Sequence, residues 1–322
     1  MSVDILDVPH SFRYSLSAGV MTDVTDMTDS RSEFLTVRGL RHHVRQWGTP
    51  GAPKLFALHG WMDVSASFQF VAQTLAQRWH VLAPDWRGFG LTDWPVADGR
   101  AGSYWFPDYI ADLDALVDVY AAPGEAINLI GHSMGGNVAC LYAGVRPARV
   151  RRLVNLEGFG LPPSPPAAAI RQLSRWLDDV QTQPTLRPYA TLDDVAARLR
   201  KTNPRLTPER AAWLAPRWAR QASDGQWHLL ADAAHKMANP YPYRLDEAMA
   251  VWSNVSAPVL HVEATDSDVL QHFSGAQGTD VFRERFEVFP NLTEAFVDDA
   301  GHMLHHDQPE VVARLIEDFC RD

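Results

Sequence analysis

The sequence predicts an α/β protein: an eight-stranded, mostly parallel sheet with helices on both faces and a helical cap inserted after the sixth strand. Three observations carry this. From Glu33 onward, short apolar runs alternate with stretches of helical periodicity, the pattern of a parallel sheet covered on both faces. The first two runs are separated only by Gly39, too little chain for a crossover, and predict an antiparallel hairpin at one sheet edge. Roughly a hundred residues lie between the sixth and seventh of these runs, far more than a helical crossover uses, so a further unit is inserted there.

Strands are expected at 33–38, 40–47, 54–58, 79–83, 126–131, 151–156, 258–263 and 294–298. Between them, Phe68, Val71 and Leu75, then Ile110, Leu113, Val117 and Tyr120, and finally Val312, Leu315 and Phe319 recur at helical spacing and predict core-facing stripes. Residues 1–30 are polar, with Met-Thr-Asp at both 21–23 and 27–29 and no apolar period, which predicts a loosely held leader. The insertion opens with Leu161-Pro162-Pro163-Ser164-Pro165-Pro166. It then shows helical patterns at Ile170, Leu173, Leu177 and Val180 and at Leu192, Val195 and Leu199. Another helix is expected from Thr207-Pro208-Glu209, with the threonine as N-cap and the proline at the first helical position. The chain thus divides into a leader (1–30), an α/β core (31–159 and 236–322) and a cap (160–235) over the C-terminal edge of the sheet, where open α/β folds bind ligands.

With 322 residues, 46% of them hydrophobic, the chain can bury a large core. Its 29 basic against 39 acidic residues, with no basic run, leave no electrostatic footprint for nucleic acid. No apolar stretch is long enough to span a bilayer, and Met1-Ser2-Val3-Asp4 does not open like a secretory signal, so a cytoplasmic protein without a membrane partner is expected. Cys140 and Cys320 read as reduced core residues. The thirteen histidines include His42-His43 and His302 with His305-His306. The first pair falls on opposite faces of a strand, and no metal-ligand spacing of the His-Glu-x-x-His kind occurs, so neither metal nor cofactor is expected.

The chemistry-bearing feature is Gly131-His132-Ser133-Met134-Gly135, set between the apolar strand 126–131 and the helical run from Asn137. A Gly-x-Ser-x-Gly turn there places a serine on a sharp strand-to-helix bend with its hydroxyl clear of the backbone, which marks Ser133 as a nucleophile. A Gly301-His302 loop before the last helix supplies a base. Together with His59-Gly60-Trp61 and Asp85-Trp86-Arg87-Gly88-Phe89-Gly90, these motifs stand in an order that resembles the α/β-hydrolase superfamily from about residue 33 to the end. The resemblance implies a Ser-His-acid triad and an oxyanion hole made by the backbone N–H groups of Trp61 and Met134. His59 and Asp85 are expected to shape loops and not to react.

The acid has two possible origins in this superfamily. Glu157, at the end of strand 151–156, resembles the arrangement of haloalkane dehalogenase-like members and is favoured. Asp266 and Asp268 are the alternatives after strand 258–263, where the family's Gly-x-x-Asp is replaced by Ala264-Thr265-Asp266-Ser267-Asp268. A serine at the elbow disfavours epoxide-hydrolase and dehalogenase chemistry, which uses an aspartate there. Trp61, Trp86, Phe159, Trp176, Trp213 and Trp218 are expected to line an apolar substrate pocket. The expected activity is hydrolysis of a small, largely apolar carboxylic ester, thioester or lactone through an acyl-enzyme on Ser133, that is, a carboxylesterase. A C–C bond hydrolase or acyltransferase on the same triad is the alternative among enzymes, and a small-ligand receptor the alternative outside them.

Overall fold

The computed structural model describes residues 12–14, 30–97, 100–101, 104–274 and 280–321. Strands β1 (Arg31–Val37) and β2 (Leu40–Trp47) form the expected hairpin, with Val37 opposite Leu40. The turn is Arg38-Gly39, both at positive φ (47° and 79°), the backbone twist that two-residue hairpins favour. The parallel strands follow: β3 (Lys54–Leu58), β4 (His80–Pro84), β5 (Ile127–His132), β6 (Val150–Leu156), β7 (Val259–Ala264) and β8 (Leu292–Val297). Their spatial order is β1-β2-β4-β3-β5-β6-β7-β8.

A ninth strand lies outside the sequence expectation. Phe12–Tyr14, inside the predicted leader, pairs in parallel with Ala295 to Val297 of β8. The free edge of β8 offers a row of unpaired N–H and C=O groups, and three residues suffice to use it. So short a strand has no readable period in the sequence. The remainder of the leader, 1–11 and 15–29, lies outside the described residues.

Period-two alternation splits the core between the two faces of the sheet. Leu55, Ala57 and Ile130 point one way, against Val71 and Leu75 of α1 (Gln69–Leu75) and Val312 and Ile316 of the final helix (Pro309–Cys320). Phe56, Leu58 and Leu129 point the other way, against Leu113 and Val117 of α2 (Phe106–Tyr120), Val138 and Ala139 of α3 (Met134–Val145) and Trp252. Cys140 and Cys320 are both buried free thiols, and burial pushes each above its usual range.

Between β6 and β7 the chain carries α4 (Ala168–Thr182), α5 (Leu192–Thr202) and α6 (Pro208–Trp218), then a short antiparallel pair, Ala219–Gln221 with Trp227–Leu229. Thr191 opens α5 with a capping box to Asp194. Thr207 caps α6 by accepting the N–H of Arg210, with Pro208 at the first helical position. Among the described residues no helix is long and apolar enough to cross a membrane.

Candidate active site

Strand β5 is buried along its whole length and ends at His132, after which Ser133 turns the chain sharply into α3 at φ 53°, ψ −116°. A non-glycine residue held there costs on the order of 1–3 kcal/mol, offset by the packing around it. The flanking glycines are required by close approach. A Cβ on Gly131 would collide with the backbone of Gly135, and one on Gly135 would collide with the carbonyl of Leu58 on β3. The helix therefore sits tight against the sheet, and Ser133 projects from the bend.

The register of the parallel sheet brings a carboxylate beside Ser133. His132 pairs with Leu156 and Gly131 with Asn155. The next residues in that register are Ser133 and Glu157, so a separation along the chain becomes adjacency at the sheet's C-terminal edge. Ser133 N–H donates to the Leu156 carbonyl at 2.9 Å, and Glu157 N–H to the Val262 carbonyl at 3.0 Å. Glu157 is also left-handed, at φ 57°. His302, on the loop after β8, bridges the two side chains. Its Nε2 lies 3.0 Å from Ser133 Oγ and its Nδ1 3.2 Å from Glu157 Oε2. A carboxylate can only accept, so Nδ1 carries the proton and Nε2 is left free to take one from the serine.

The other two acids point elsewhere. Asp266 is exposed and ion-pairs with Arg205 at 2.6 Å, while Asp268 is exposed on the same turn. Between them Ser267 stands in the register of the family's usual aspartate, and its hydroxyl donates to Glu157 Oε2. The N–H of Ala264 donates to Oε1 at 2.7 Å. The turn after β7 thus supports the carboxylate and does not supply one, a role that the substitution of serine for the expected aspartate signals only once Glu157 is in view.

The His-Gly and Asp-x-x-Gly-x-Gly loops brace this edge. His59 donates from Nδ1 to the Gly60 carbonyl (2.8 Å) and accepts the Trp86 N–H at Nε2 (3.0 Å); burial lowers its pKa to about 4, so it is neutral. Burial alone would raise Asp85, but the hydrogen bond and charge of His43 and the N–H of Leu91 outweigh it and hold the carboxylate well below its usual range. Gly90, at φ 57°, leaves the space that carboxylate fills.

Ser133, Glu157 and His302 open onto a cavity of about 450 Å³. Of the expected pocket residues, Trp61, Phe159 and Trp176 line it, as does Met134. Trp86, Trp213 and Trp218 do not, and their assignment to the pocket is corrected. Trp86 is fully buried, its Nε1–H donating to the His59 carbonyl at 2.9 Å, because its indole fills the core beneath the loop. Trp213 and Trp218 pack with Leu199, Leu206, Leu214 and Phe70, closing the inserted helices onto the core. Arg217 stacks on Trp213 at 3.6 Å. Trp105 lines the cavity too, with residues not assigned from sequence: Tyr104, Phe106, Tyr109, His235 and Met237. His235 is stacked between Phe89 (3.7 Å) and Tyr104 (3.6 Å), and burial lowers it to about 3, so it forms a section of an uncharged wall. Among the described residues lining the cavity there is no lysine or arginine.

This fold, with a serine on its strand-to-helix bend, defines an α/β-hydrolase. Residues 53–309 match the alpha/beta hydrolase fold family, and the chain belongs to it. It is similar to a serine hydrolase-like protein of Danio rerio, 29% identical over 283 residues covering 85% of this chain and 83% of that one. It is also similar to a 3-hydroxybutyrate-oligomer hydrolase of Cupriavidus necator, 31% identical over 70% of this chain and 76% of that one. Among solved structures it resembles a thioesterase domain from the curacin biosynthetic pathway, with a TM-score of 0.77 and 25% identity over 90% of this chain and 99% of that one.

Proposed function

We propose that the protein is a serine esterase or thioesterase that cleaves a small, uncharged, largely apolar acyl substrate through an acyl-enzyme on Ser133. The observation that carries the reading is the relay from Ser133 through His302 to Glu157, at 3.0 and 3.2 Å, on the wall of an aromatic cavity. Ser133 Oγ attacks the substrate carbonyl as His302 Nε2 takes its proton. Glu157 holds the ring and stabilises the imidazolium that forms. The charge on the carbonyl oxygen is met by the N–H of Met134, which as the first residue of α3 has no partner within its own helix, and by that of Trp61 on the loop after β3. His302 then protonates the departing alcohol or thiol, and water, activated by the same ring, frees the acid and regenerates the serine.

An aromatic cavity whose described lining holds no lysine or arginine favours neutral acyl groups over those bearing a carboxylate. The similarity to a 3-hydroxybutyrate-oligomer hydrolase and to a thioesterase domain supports an oxygen or sulfur ester as the scissile bond. The test is hydrolysis of p-nitrophenyl esters and acyl thioesters of graded chain length by wild type and Ser133→Ala, with mass spectrometry of a phosphonate adduct. Turnover lost by about 10⁴-fold or more in Ser133→Ala, with the adduct on Ser133, is expected. Phosphonate-labelled Ser133 with no turnover of either ester type would overturn the esterase reading and direct the search to C–C bonds or acyl acceptors.

A further inference from the structure

Beneath the triad lies a second group of polar side chains that the ester chemistry leaves unused. Asp63, from the loop after β3, His132, the residue before the nucleophile, and His305, from a short helix Leu304–Asp307, bring ligand atoms within 4.8 Å of one another, and all three residues are buried. Asp63 Oδ2, His132 Nδ1 and both nitrogens of His305 have no hydrogen-bond partner. Polar atoms that converge in a buried space without partners are costly unless something sits among them.

We infer that Asp63, His132 and His305 form a site for one divalent transition-metal ion, with zinc the best-matched by donor type. Two imidazoles and a carboxylate are a common three-ligand set for that ion. The supporting contacts have the form such ligands need. His132 Nε2 lies 2.8 Å from the His302 carbonyl, which can only accept, so the proton is on Nε2 and the lone pair of Nδ1 faces the site. The other oxygen of Asp63 is fixed by the Val64 N–H at 2.7 Å and the Ser67 hydroxyl. An ion centred in a triangle with sides of 4.8 Å lies about 2.8 Å from each corner, so shifts of about 0.7 Å per side chain reach a zinc bond length. The three ligands come from three separate segments, which is why no spacing motif announces them. An ion there would tie together the Trp61 loop, the nucleophile bend and the His302 loop, the three segments that meet at the reacting bond.

The test is calorimetric titration of ZnCl2 at pH 8 into wild type, His302→Ala, Asp63→Asn and His305→Phe, with thermal melts of each. Crystals of wild type soaked in ZnCl2 would supply anomalous scattering. One ion per chain is expected, bound with raised Tm by wild type and His302→Ala, and at least about 100-fold more weakly by Asp63→Asn and His305→Phe. If either of those variants fails to fold, the soaked wild type decides: anomalous density about 2.1 Å from all three side chains supports the site. Water alone at that position, no saturable binding, or binding abolished by His302→Ala and retained by Asp63→Asn would overturn it.

Discussion

Replacing Glu157 by glutamine tests the assignment of the acid most directly, because nearly every atom around it has a fixed demand. Oε1 accepts the Ala264 N–H at 2.7 Å; Oε2 accepts the Ser267 hydroxyl and, at 3.2 Å, the His302 Nδ1–H. An amide satisfies only one side. If its oxygen faces His302, its NH2 meets the Ala264 N–H. If its oxygen faces Ala264, its NH2 meets Nδ1 and forces the proton to Nε2, where it blocks the base. The expected loss in kcat is about 10⁴-fold, with the fold retained in circular dichroism. Asp266→Asn removes an exposed ion pair with Arg205, and is expected to change stability by less than about 1 kcal/mol and kcat by less than about twofold. The assay is the acylation rate of an activated ester under single-turnover conditions. Because Ser267 stands in the register of the family's usual aspartate, Ser267→Asp added to Glu157→Gln should return about 10- to 100-fold of the lost rate. Glu157→Gln within about tenfold of wild type, or Asp266→Asn falling by more than about 100-fold, would refute the assignment.

Two tryptophans, one lining the cavity and one in the core, separate binding from stability. Trp176→Ala should raise KM for longer acyl chains by about tenfold and leave acetyl ester turnover unchanged, a split that steady-state kinetics across chain lengths would expose. Trp86→Phe should leave KM alone and, by orphaning the buried His59 carbonyl, lower stability by about 1–3 kcal/mol in urea titrations. Acid sensitivity should come from buried neutral histidines. His261 is lowered to about 3 by burial and then by the charge of Arg283, against 6.5 for the unperturbed ring. The unfolded chain therefore binds this proton first as pH falls, and the contribution to stability, full above about 6.5, is lost progressively toward 3. Between pH 7 and pH 5 the ring accounts for about 2 kcal/mol, so His261→Phe should flatten the stability profile by that amount; an unchanged slope would contradict the reasoning.

Much of the site was legible because its geometry is enforced locally. The Gly-x-Ser-x-Gly bend announces itself through glycines that only close packing explains, and the Gly-His loop through its place before the last helix. The pocket walls were less legible. Trp86, Trp176 and Trp213 are the same residue type, and only tertiary packing decides that one fills the core, one lines the cavity and one closes a helix onto the body. The ninth strand at Phe12–Tyr14 and the cluster of Asp63, His132 and His305 were invisible for a related reason. One is too short for a period, and the other joins three loops that no linear spacing connects.

The position of Glu157 follows from the sheet itself. Strands β5 and β6 run in register to their last residues, His132 and Leu156, and the backbone of each then breaks from extended to left-handed at the next position, Ser133 and Glu157. Two such residues side by side hold strain of on the order of 1–3 kcal/mol each, and the buried glycines and Asn155 around them make relaxation impossible without opening the core. Asn155 receives the Gly158 N–H at 3.1 Å and donates to its carbonyl at 2.8 Å, which fixes the turn that presents Glu157. With the carboxylate delivered by β6, an aspartate after β7 would set a second charge against the first. A serine in that register instead gives Glu157 a donor, and the relay to Ser133 keeps a single buried charge.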